Sequence, residues 1–219
     1  MQNKIELNKI SHYFTTSHER INLFENLSLS IDAGKSHAIV GPSGAGKSSL
    51  LTLAAGLDAP KSGSISVTVD GKSASETELR ACSGFIFQHF HLMNELDALG
   101  NLALPLRLKG NKDAFNIART WLDKVGLADR ASHKPNQLSG GEQQRIAVAR
   151  AFVTSPTFIF ADEPTGNLDE GTSNKVADLM FGFAAESNAA LVVVTHSQSL
   201  AARADVAHRL AHGALEQVQ

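Results

Sequence analysis

The sequence has little cysteine, few aromatic residues and no long apolar run. A single cysteine, Cys82, excludes an internal disulfide framework and fits a reducing compartment. The longest clean apolar run covers residues 189–194, far short of the ~18–20 residues that a helix needs to cross a bilayer. The amino terminus also lacks the apolar core of a signal peptide. We therefore expect no direct membrane insertion by this chain.

Strong charge of either sign is also missing. The 219 residues include 20 Lys and Arg against 22 Asp and Glu, for a formal net charge of −2, so nucleic acid is not expected as a partner. A hydrophobic content of 42% supplies a real core, and 19% charged residues is too few for a disordered chain. The length fits one large domain or one domain with inserted subdomains.

A glycine-rich loop is the first functional motif, because Gly41–Ser48 reads G-P-S-G-A-G-K-S. It lies between a predicted strand and a predicted helix, which disfavours a chance match. Its backbone N–H groups and the helix dipole can hold phosphates, Lys47 can bridge the β- and γ-phosphates, and Ser48 can bind Mg²⁺. The predicted nucleotide-binding residues of this segment are Gly41, Pro42, Ser43, Gly44, Ala45, Gly46, Lys47, Ser48 and Ser49.

Two carboxylates follow the apolar strand Phe158–Ala161. Ligands of open α/β sheets bind at the carboxyl ends of such strands. Asp162 is therefore predicted to hold Mg²⁺, and Glu163 to polarise the attacking water. Alone, the pair is equally consistent with the start of a surface loop; the glycine-rich loop in the same chain favours the catalytic interpretation.

Two further polar residues end apolar strands. His196 follows a strand over 191–194 and can contact the γ-phosphate and orient the water. Gln88 ends the strand Gly84–Phe87, and its amide can reach Mg²⁺ and sense the γ-phosphate. Either residue by itself is more often structural, so both assignments depend on the other motifs.

The order of elements indicates an α/β core with a helical insertion. The runs at 158–161 and 191–194 suit central parallel strands covered on both faces. From about His91 to Val153 the pattern is helical, with predicted breaks at Pro105, Gly110 and Pro135. Further predicted elements are strands at 4–10, 27–31, 36–40 and 64–69 and a helix at 48–57 that stops near Gly56.

A second potential anion site lies far from the first in sequence. Ser139, Gly140 and Gly141 precede a predicted helix over 142–153, and a helix start of this kind binds anions. One chain needs no second phosphate site for one nucleotide. We therefore predict that these residues hold the γ-phosphate of ATP bound to a second copy, with two ATP molecules buried between head-to-tail protomers.

Six motifs in order give the sequence a resemblance to the nucleotide-binding subunits of ABC transporters over nearly its whole length. They are the Walker A loop Gly41–Ser48, the Q-loop Gln88, the signature Leu138–Arg145, the Walker B strand Phe158–Glu163, the D-loop Asn167–Asp169 and the switch histidine His196. The resemblance places Tyr13 where an aromatic residue stacks on adenine. It implies one domain over 1–219: a P-loop NTPase (RecA-like) core with an antiparallel β subdomain and a helical subdomain inserted at roughly 91–153.

The sequence around the Walker B strand narrows the resemblance. Residues 161–169 and 84–88 are similar to the group that holds the lipoprotein-releasing ATPase LolD, the MacB exporter and the division protein FtsE, and 133–137 is closest to the lipoprotein-releasing type. At three positions, where the family usually has acidic residues, this chain has Gly100, Ser197 and His212. This group implies an ATP-hydrolysing subunit, peripheral on the cytoplasmic face of the inner membrane, that drives separate transmembrane permease subunits by mechanotransmission.

Two alternatives remain at this point. An FtsE-like regulatory ATPase would signal through a membrane partner without transport. The apolar residues after Gln88, namely Phe90, Leu92, Met93, Leu96 and Leu99, can form the groove for a partner's cytoplasmic helix or belong to the core of the helical insertion.

Overall fold

The computed structural model describes residues 3–15 and 19–219. Met1 and Gln2, which begin the segment predicted not to be a signal peptide, lie outside the described residues. The strands are β1 (Lys4–Thr15), β2 (Arg20–Asp32), β3 (Ser36–Val40), β4 (Ser62–Val69), β5 (Lys72–Ser73), β6 (Ser83–Phe87), β7 (Phe158–Asp162), β8 (Ala190–Thr195), β9 (Val206–Ala211) and β10 (Ala214–Gln217). The helices are α1 (Lys47–Ala54), α2 (Glu76–Ala81), α3 (Ala98–Leu108), α4 (Ala114–Lys124), α5 (Gly140–Phe152), α6 (Glu170–Ser187) and α7 (Gln198–Ala201).

A six-stranded sheet in the order β10-β9-β3-β8-β7-β6 forms the centre of the molecule. Its strands pair in parallel from β9 to β6, and only β10 runs antiparallel to its neighbour β9. Strands β3 and β8 are buried along their whole length, and β7 is buried up to its last residue. The prediction of central parallel strands from apolar runs is confirmed. Their carboxyl ends share one edge, which is where the predicted site residues follow.

A separate antiparallel sheet in the order β2-β1-β4-β5 covers one side of the core. Its strands alternate buried and exposed residues, as a sheet with one solvated face requires. Ile5, Leu7 and Ile10 of β1 are almost fully buried and join a cluster that includes Leu50 of α1 and Phe160 of β7. This sheet therefore packs on α1 and fixes the helix that follows the phosphate loop.

The helical insertion begins later than predicted. Residues 91–97 are not helical, and Asp97 caps α3 by accepting a hydrogen bond from the Gly100 N–H at 2.6 Å. The predicted break at Pro105 is wrong, because this residue lies inside α3 and its carbonyl still accepts from the Lys109 N–H at 3.2 Å. The proline ring fixes a φ that a helix accepts, and the buried face of α3 holds the helix against the core. The breaks at Gly110 and Pro135 are confirmed.

Asn101 organises the turns that precede α3. Its side chain is fully buried, and its Nδ2 donates to the carbonyls of Met93, Leu96 and Asp97 at 3.1, 3.2 and 3.0 Å. Its Oδ1 accepts from the Met93 N–H at 2.8 Å. Every hydrogen-bonding group of the Asn101 amide is thus used to shape one surface loop.

Several elements gave no signal that the sequence analysis used. They include α2, β9, β10 and α6, whose 18 residues make it the longest helix among those described. Within residues 3–15 and 19–219, no helix has both the length and the apolar character needed to cross a bilayer.

Candidate functional site

The phosphate loop connects β3 to α1. Gly44 and Gly46 have φ of 79° and 91°, a region that favours glycine. A Cβ on Gly41 would lie 2.2 Å from the Leu210 carbonyl oxygen, so this position has no room for a side chain. No side chain caps α1, and no acidic residue lies in its first turn. The positive end of the helix dipole is therefore available to an anion.

Lys47 is a nearly buried cation at this helix start. Its side chain folds over the loop, and Nζ donates to the carbonyls of Gly41 and Pro42 at 2.9 and 3.0 Å. The residue is only 8% exposed, and no carboxylate of the described residues lies within ion-pair distance of it. A desolvated cation that has only carbonyl partners favours an anionic ligand, and a triphosphate fits this need.

Ser48 and Asp162 meet beside the loop. The Ser48 hydroxyl donates to Asp162 Oδ1 at 3.0 Å, and Asp162 is the last residue of β7. Burial raises the pKa of the Asp162 carboxyl above its usual value, the Ser48 hydrogen bond partly opposes this rise, and the charge of Glu163 adds to it. A half-buried carboxylate beside a hydroxyl presents the hard oxygen donors that divalent cations such as Mg²⁺ prefer.

Glu163 and His196 also meet at this edge. Glu163 Oε2 lies 2.9 Å from His196 Nδ1 and accepts from the His196 backbone N–H at 3.3 Å. Glu163 has a φ of 45°, and its own N–H donates to the Val194 carbonyl at 3.0 Å. Its side chain is 18% exposed, whereas that of His196 is 68% exposed. The two residues therefore form a carboxylate–imidazole pair that reaches from the sheet edge into solvent.

Gln88 pairs with Asn167 of the D-loop. Its Nε2 donates to Asn167 Oδ1 at 3.0 Å, and Asn167 Nδ2 donates back to the Gln88 carbonyl at 3.1 Å. The structure thus brings together Ser48 with Asp162 and Glu163 with His196, while the predicted metal ligand Gln88 is joined to the D-loop. Asn167 was assigned no role of its own from the sequence, although its motif was recognised.

Tyr13 lies on β1, in the antiparallel sheet. The guanidinium carbon of Arg20 is 3.6 Å from the ring centroid, and Arg20 Nε donates to Asn22 Oδ1 at 2.9 Å. A cation stacked on an aromatic face is stabilised by the ring quadrupole. The Tyr13 ring is thus already stacked by Arg20, with Lys61 Nζ 5.8 Å from its centroid, and adenine stacking on Tyr13 stays a prediction.

The signature residues form the start of α5. Ser139 caps this helix, and a capping box joins it to Glu142: the Ser139 N–H and hydroxyl donate to Glu142 Oε2 at 2.8 and 2.9 Å. The Ser139 backbone hydrogen bond is the main reason why the pKa of Glu142 is lowered, with Arg130 adding at 3.0 Å. A Cβ on Gly141 would lie 2.5 Å from Thr172 Cγ2, so this turn packs closely on α6.

Comparisons with known proteins agree with these motifs. The ABC transporter family matches residues 24–166. The chain is 48% identical to the lipoprotein-releasing system ATP-binding protein LolD of Legionella pneumophila, over 90% of this chain and 89% of that protein. It is 41% identical to the uncharacterized ABC transporter ATP-binding protein YbbA of Escherichia coli K12, over 99% and 98% of the two chains. The dimeric, post-hydrolysis structure of the ATP-binding cassette MJ0796 with ADP and Pi is similar at a TM-score of 0.84 and 35% identity, over 98% of this chain and 99% of that one.

These findings confirm the family, the fold class and the ATPase activity predicted from the sequence. The family match covers more than half of the chain, and the relatives are similar along nearly all of it. The chain belongs to the ABC transporter family, as an ATP-binding and ATP-hydrolysing subunit of the LolD type.

Proposed function

We propose that two copies of this chain close head to tail around two ATP molecules and that hydrolysis drives a separate membrane subunit. The observation that carries this proposal is the meeting of two side-chain pairs, Ser48 with Asp162 and Glu163 with His196, at the sheet edge beside the phosphate loop. A hydroxyl beside a carboxylate can bind a divalent metal ion, and a carboxylate beside an imidazole can orient the attacking water.

The metal of this site is proposed to be Mg²⁺. Ser48 and Asp162 would hold it, joined by Gln88 when the Gln88 amide leaves Asn167. Mg²⁺ would supply neutralisation of phosphate charge. The raised pKa of Asp162 supports a cation here, because a half-buried carboxylate gains more from a bound cation than an exposed one does.

Glu163 is the proposed general base. Its side chain is mostly buried and its backbone is held in place, so it can polarise a water molecule without moving far. His196 contacts Glu163 with one ring nitrogen and can direct the other toward the γ-phosphate. Lys47 would bind the β- and γ-phosphates after leaving its two carbonyl partners.

Ser139, Gly140 and Gly141 are proposed to contact the γ-phosphate of the partner's ATP. Their position at the start of the 13-residue helix α5 supports this role. The dimeric state of the similar cassette MJ0796 supports a site shared between two copies. ATP would then favour the closed dimer, and hydrolysis would remove the bridging phosphate and let the dimer open.

The membrane partner is proposed to be one or more permease subunits, with this chain peripheral on the cytoplasmic face of the inner membrane. The name of the 48% identical relative, a lipoprotein-releasing system protein, supports release of lipoproteins as the work driven. The partner helix would lie against residues 90–99, where Met93 is 46% exposed while Leu92 and Leu99 pack partly on the core. An FtsE-like regulatory role with the same ATP cycle is the second candidate, and the identity of the co-purified partner decides between the two.

Replacing Glu163 with Gln tests the ATP cycle. Glu163→Gln keeps the size and hydrogen-bonding reach of the side chain but removes its negative charge, so we expect turnover to fall by roughly 100-fold or more. ATP with Mg²⁺ should then trap a stable dimer, seen by light scattering coupled to size exclusion. Glu186→Gln, an exposed change on α6, is the matched control. Normal turnover in Glu163→Gln would exclude Glu163 as the base.

A further inference from the structure

Gln144 is a polar side chain that is buried between two loops of the predicted site. It lies in the second turn of α5 and has no solvent exposure. Its Nε2 donates to the Pro164 carbonyl at 2.5 Å and approaches the Phe87 carbonyl at 3.5 Å. Among the described residues, its Oε1 has no hydrogen-bond partner. Burial of an amide with one unsatisfied oxygen is unfavourable by itself, so the contacts of Nε2 must offset this cost.

The orientation of this amide follows from its surroundings. A flipped Gln144 would direct Oε1 at the carbonyl oxygens of both Pro164 and Phe87, and acceptors facing acceptors repel. The donor end therefore faces the two carbonyls. One carbonyl belongs to the residue after Glu163, and the other to the residue before Gln88, so a single side chain contacts both loops of the predicted site.

The backbone at Glu163 is where this contact has its effect. Glu163 has a left-handed φ of 45°, which a residue with a Cβ adopts only under restraint. Its N–H donates to the Val194 carbonyl at 3.0 Å, and its carbonyl accepts from the Gly166 N–H at 3.1 Å. Gln144 adds the next anchor along the chain, at Pro164. These contacts fix the direction in which the Glu163 carboxylate leaves the sheet.

The same helix also holds the loop after Gln88. Arg150 of α5 donates to the carbonyls of Phe90 and His91 at 2.8 and 2.7 Å. Phe90 and His91 have φ of 59° and 47°, so this loop too is kept in a conformation that needs support. Helix α5 thus carries the signature at its start and holds, farther along, the loops of the chain's own nucleotide site.

We propose that Gln144 is a positioning residue that fixes the Glu163 backbone to the signature helix. Because the amino-terminal end of α5 closes on the partner's ATP, this link joins the base of one site to the phosphate contact of the other. The second half of this statement rests on the proposed head-to-tail dimer, whereas the positioning of Glu163 does not.

Gln144→Leu tests the positioning. It keeps side-chain volume in a buried position and removes the donor. We expect kcat to fall about tenfold or more, while KM for ATP stays within about threefold, because the phosphate loop is untouched. In the Glu163→Gln background, ATP should still trap the dimer, since the signature contacts remain. Ile146→Val, a fully buried change on the same helix without polar contacts, is the control for a purely structural effect.

Two outcomes overturn the proposal. A kcat of Gln144→Leu within about threefold of the wild type removes the positioning role. A parallel loss of kcat, ATP affinity and dimer trapping, matched by Ile146→Val at equal thermal stability, reduces Gln144 to a packing residue. If the Glu163→Gln parent itself never dimerises with ATP, the proposed dimer fails, and the kcat and KM values of Gln144→Leu still decide the positioning.

The link between sites is tested by a double-mutant cycle with Ser139→Ala. If Ser139 and Gln144 act through the same helix on Glu163, the double variant should have a kcat within about threefold of that of the less active single variant. Losses that multiply would show independent action and reject the link.

Discussion

Helices α1 and α5 each begin at a predicted phosphate contact, yet their first turns differ. The first turn of α1 has Gly46 as its cap, no capping side chain, no acidic residue, and Lys47 folded over the loop. The first turn of α5 is closed by the capping box of Ser139 and Glu142, and Glu142 pairs with Arg130 at 3.0 Å.

This difference indicates that the start of α1 binds phosphate in the separated subunit, whereas the start of α5 contacts phosphate only when a second copy brings its ATP. An uncapped helix start with a nearly buried lysine attracts phosphate by itself. A start whose own carboxylate accepts the first hydrogen bonds has less to offer a free anion. We therefore expect nucleotide affinity of the separated subunit to come from α1, and closure of the dimer to depend on α5.

The largest expected effect is that of Lys47→Ala. Removing the ammonium leaves the β- and γ-phosphates without their main counter-charge, so turnover should fall about 1,000-fold, with ATP affinity of the single subunit also lost. Calorimetric titration with ATP and a phosphate-release assay measure the two effects. Lys175→Ala, an exposed lysine of α6, is the control. If Lys47→Ala keeps its affinity for ATP, the start of α1 is not the source of nucleotide affinity in the separated subunit.

A bulky cation at the other helix start should act differently. Ser139→Arg removes the cap and fills the face that the partner's ATP would occupy, and we expect turnover to fall about 100-fold. ATP affinity of the separated subunit should remain within about threefold of the wild type. Loss of binding by that subunit would instead show that Ser139 contacts the nucleotide of its own chain.

Acid should lower the free energy of unfolding through β3, the strand that leads into the phosphate loop. His37 of β3 is almost fully buried against His208, and burial, followed by the charge of His208, lowers the pKa of His37 from 6.5 to about 4. The unfolded chain therefore binds this proton more readily, and stability present above pH 6.5 is lost as the pH falls toward 4.

We expect about 2 kcal/mol of this loss between pH 7.5 and pH 5. His37→Phe keeps a ring at this position and cannot titrate, so its free energy of unfolding should change less by that amount over the same interval. Urea denaturation at several pH values measures the difference. Equal pH dependence in both proteins would show that His37 protonates freely in the folded state.

The smallest expected effect is that of Glu142→Gln, which tests how the charge at the start of α5 affects closure of the dimer. Glu142 is charged at neutral pH, and its hydrogen bonds with Ser139 lower its pKa further. Glu142→Gln keeps an acceptor for the Ser139 N–H but removes a negative charge near the partner's phosphate, so half-maximal dimer trapping should need about threefold less ATP. The measurement uses the Glu163→Gln background, with Glu170→Gln in the first turn of α6 as control. An unchanged or higher ATP requirement contradicts the comparison.

Sequence reasoning predicted the parts of the fold that have short-range signals. Apolar runs predicted β7 and β8, and the Leu- and Ala-rich segment at 48–57 predicted α1. It missed α6, whose apolar stripe is interrupted by polar residues. It also misjudged Pro105, because packing of α3 outweighed the local preference of proline.

For the candidate site, the sequence supplied candidate residues but not the contacts among them. Positions at the ends of apolar strands, together with the family resemblance, pointed to Glu163, His196 and Gln88, and in the structure the first two are in contact. That Gln88 binds Asn167, and that Gln144 reaches Pro164, depends on contacts between residues far apart in the chain. No local pattern encodes such contacts, so a single sequence could not reveal them.

The buried amide of Asn101 has a practical consequence for engineering. Under the proposed docking of a partner helix against residues 90–99, a campaign to retarget this subunit to a foreign membrane protein would vary residues 91–97, including Met93, whose side chain is 46% exposed. Position 101 must stay fixed, since neither aspartate nor leucine can donate to the three carbonyls that the amide serves. A library that randomises position 101 will therefore consist mostly of proteins in which the loop at residues 91–97 has lost its shape.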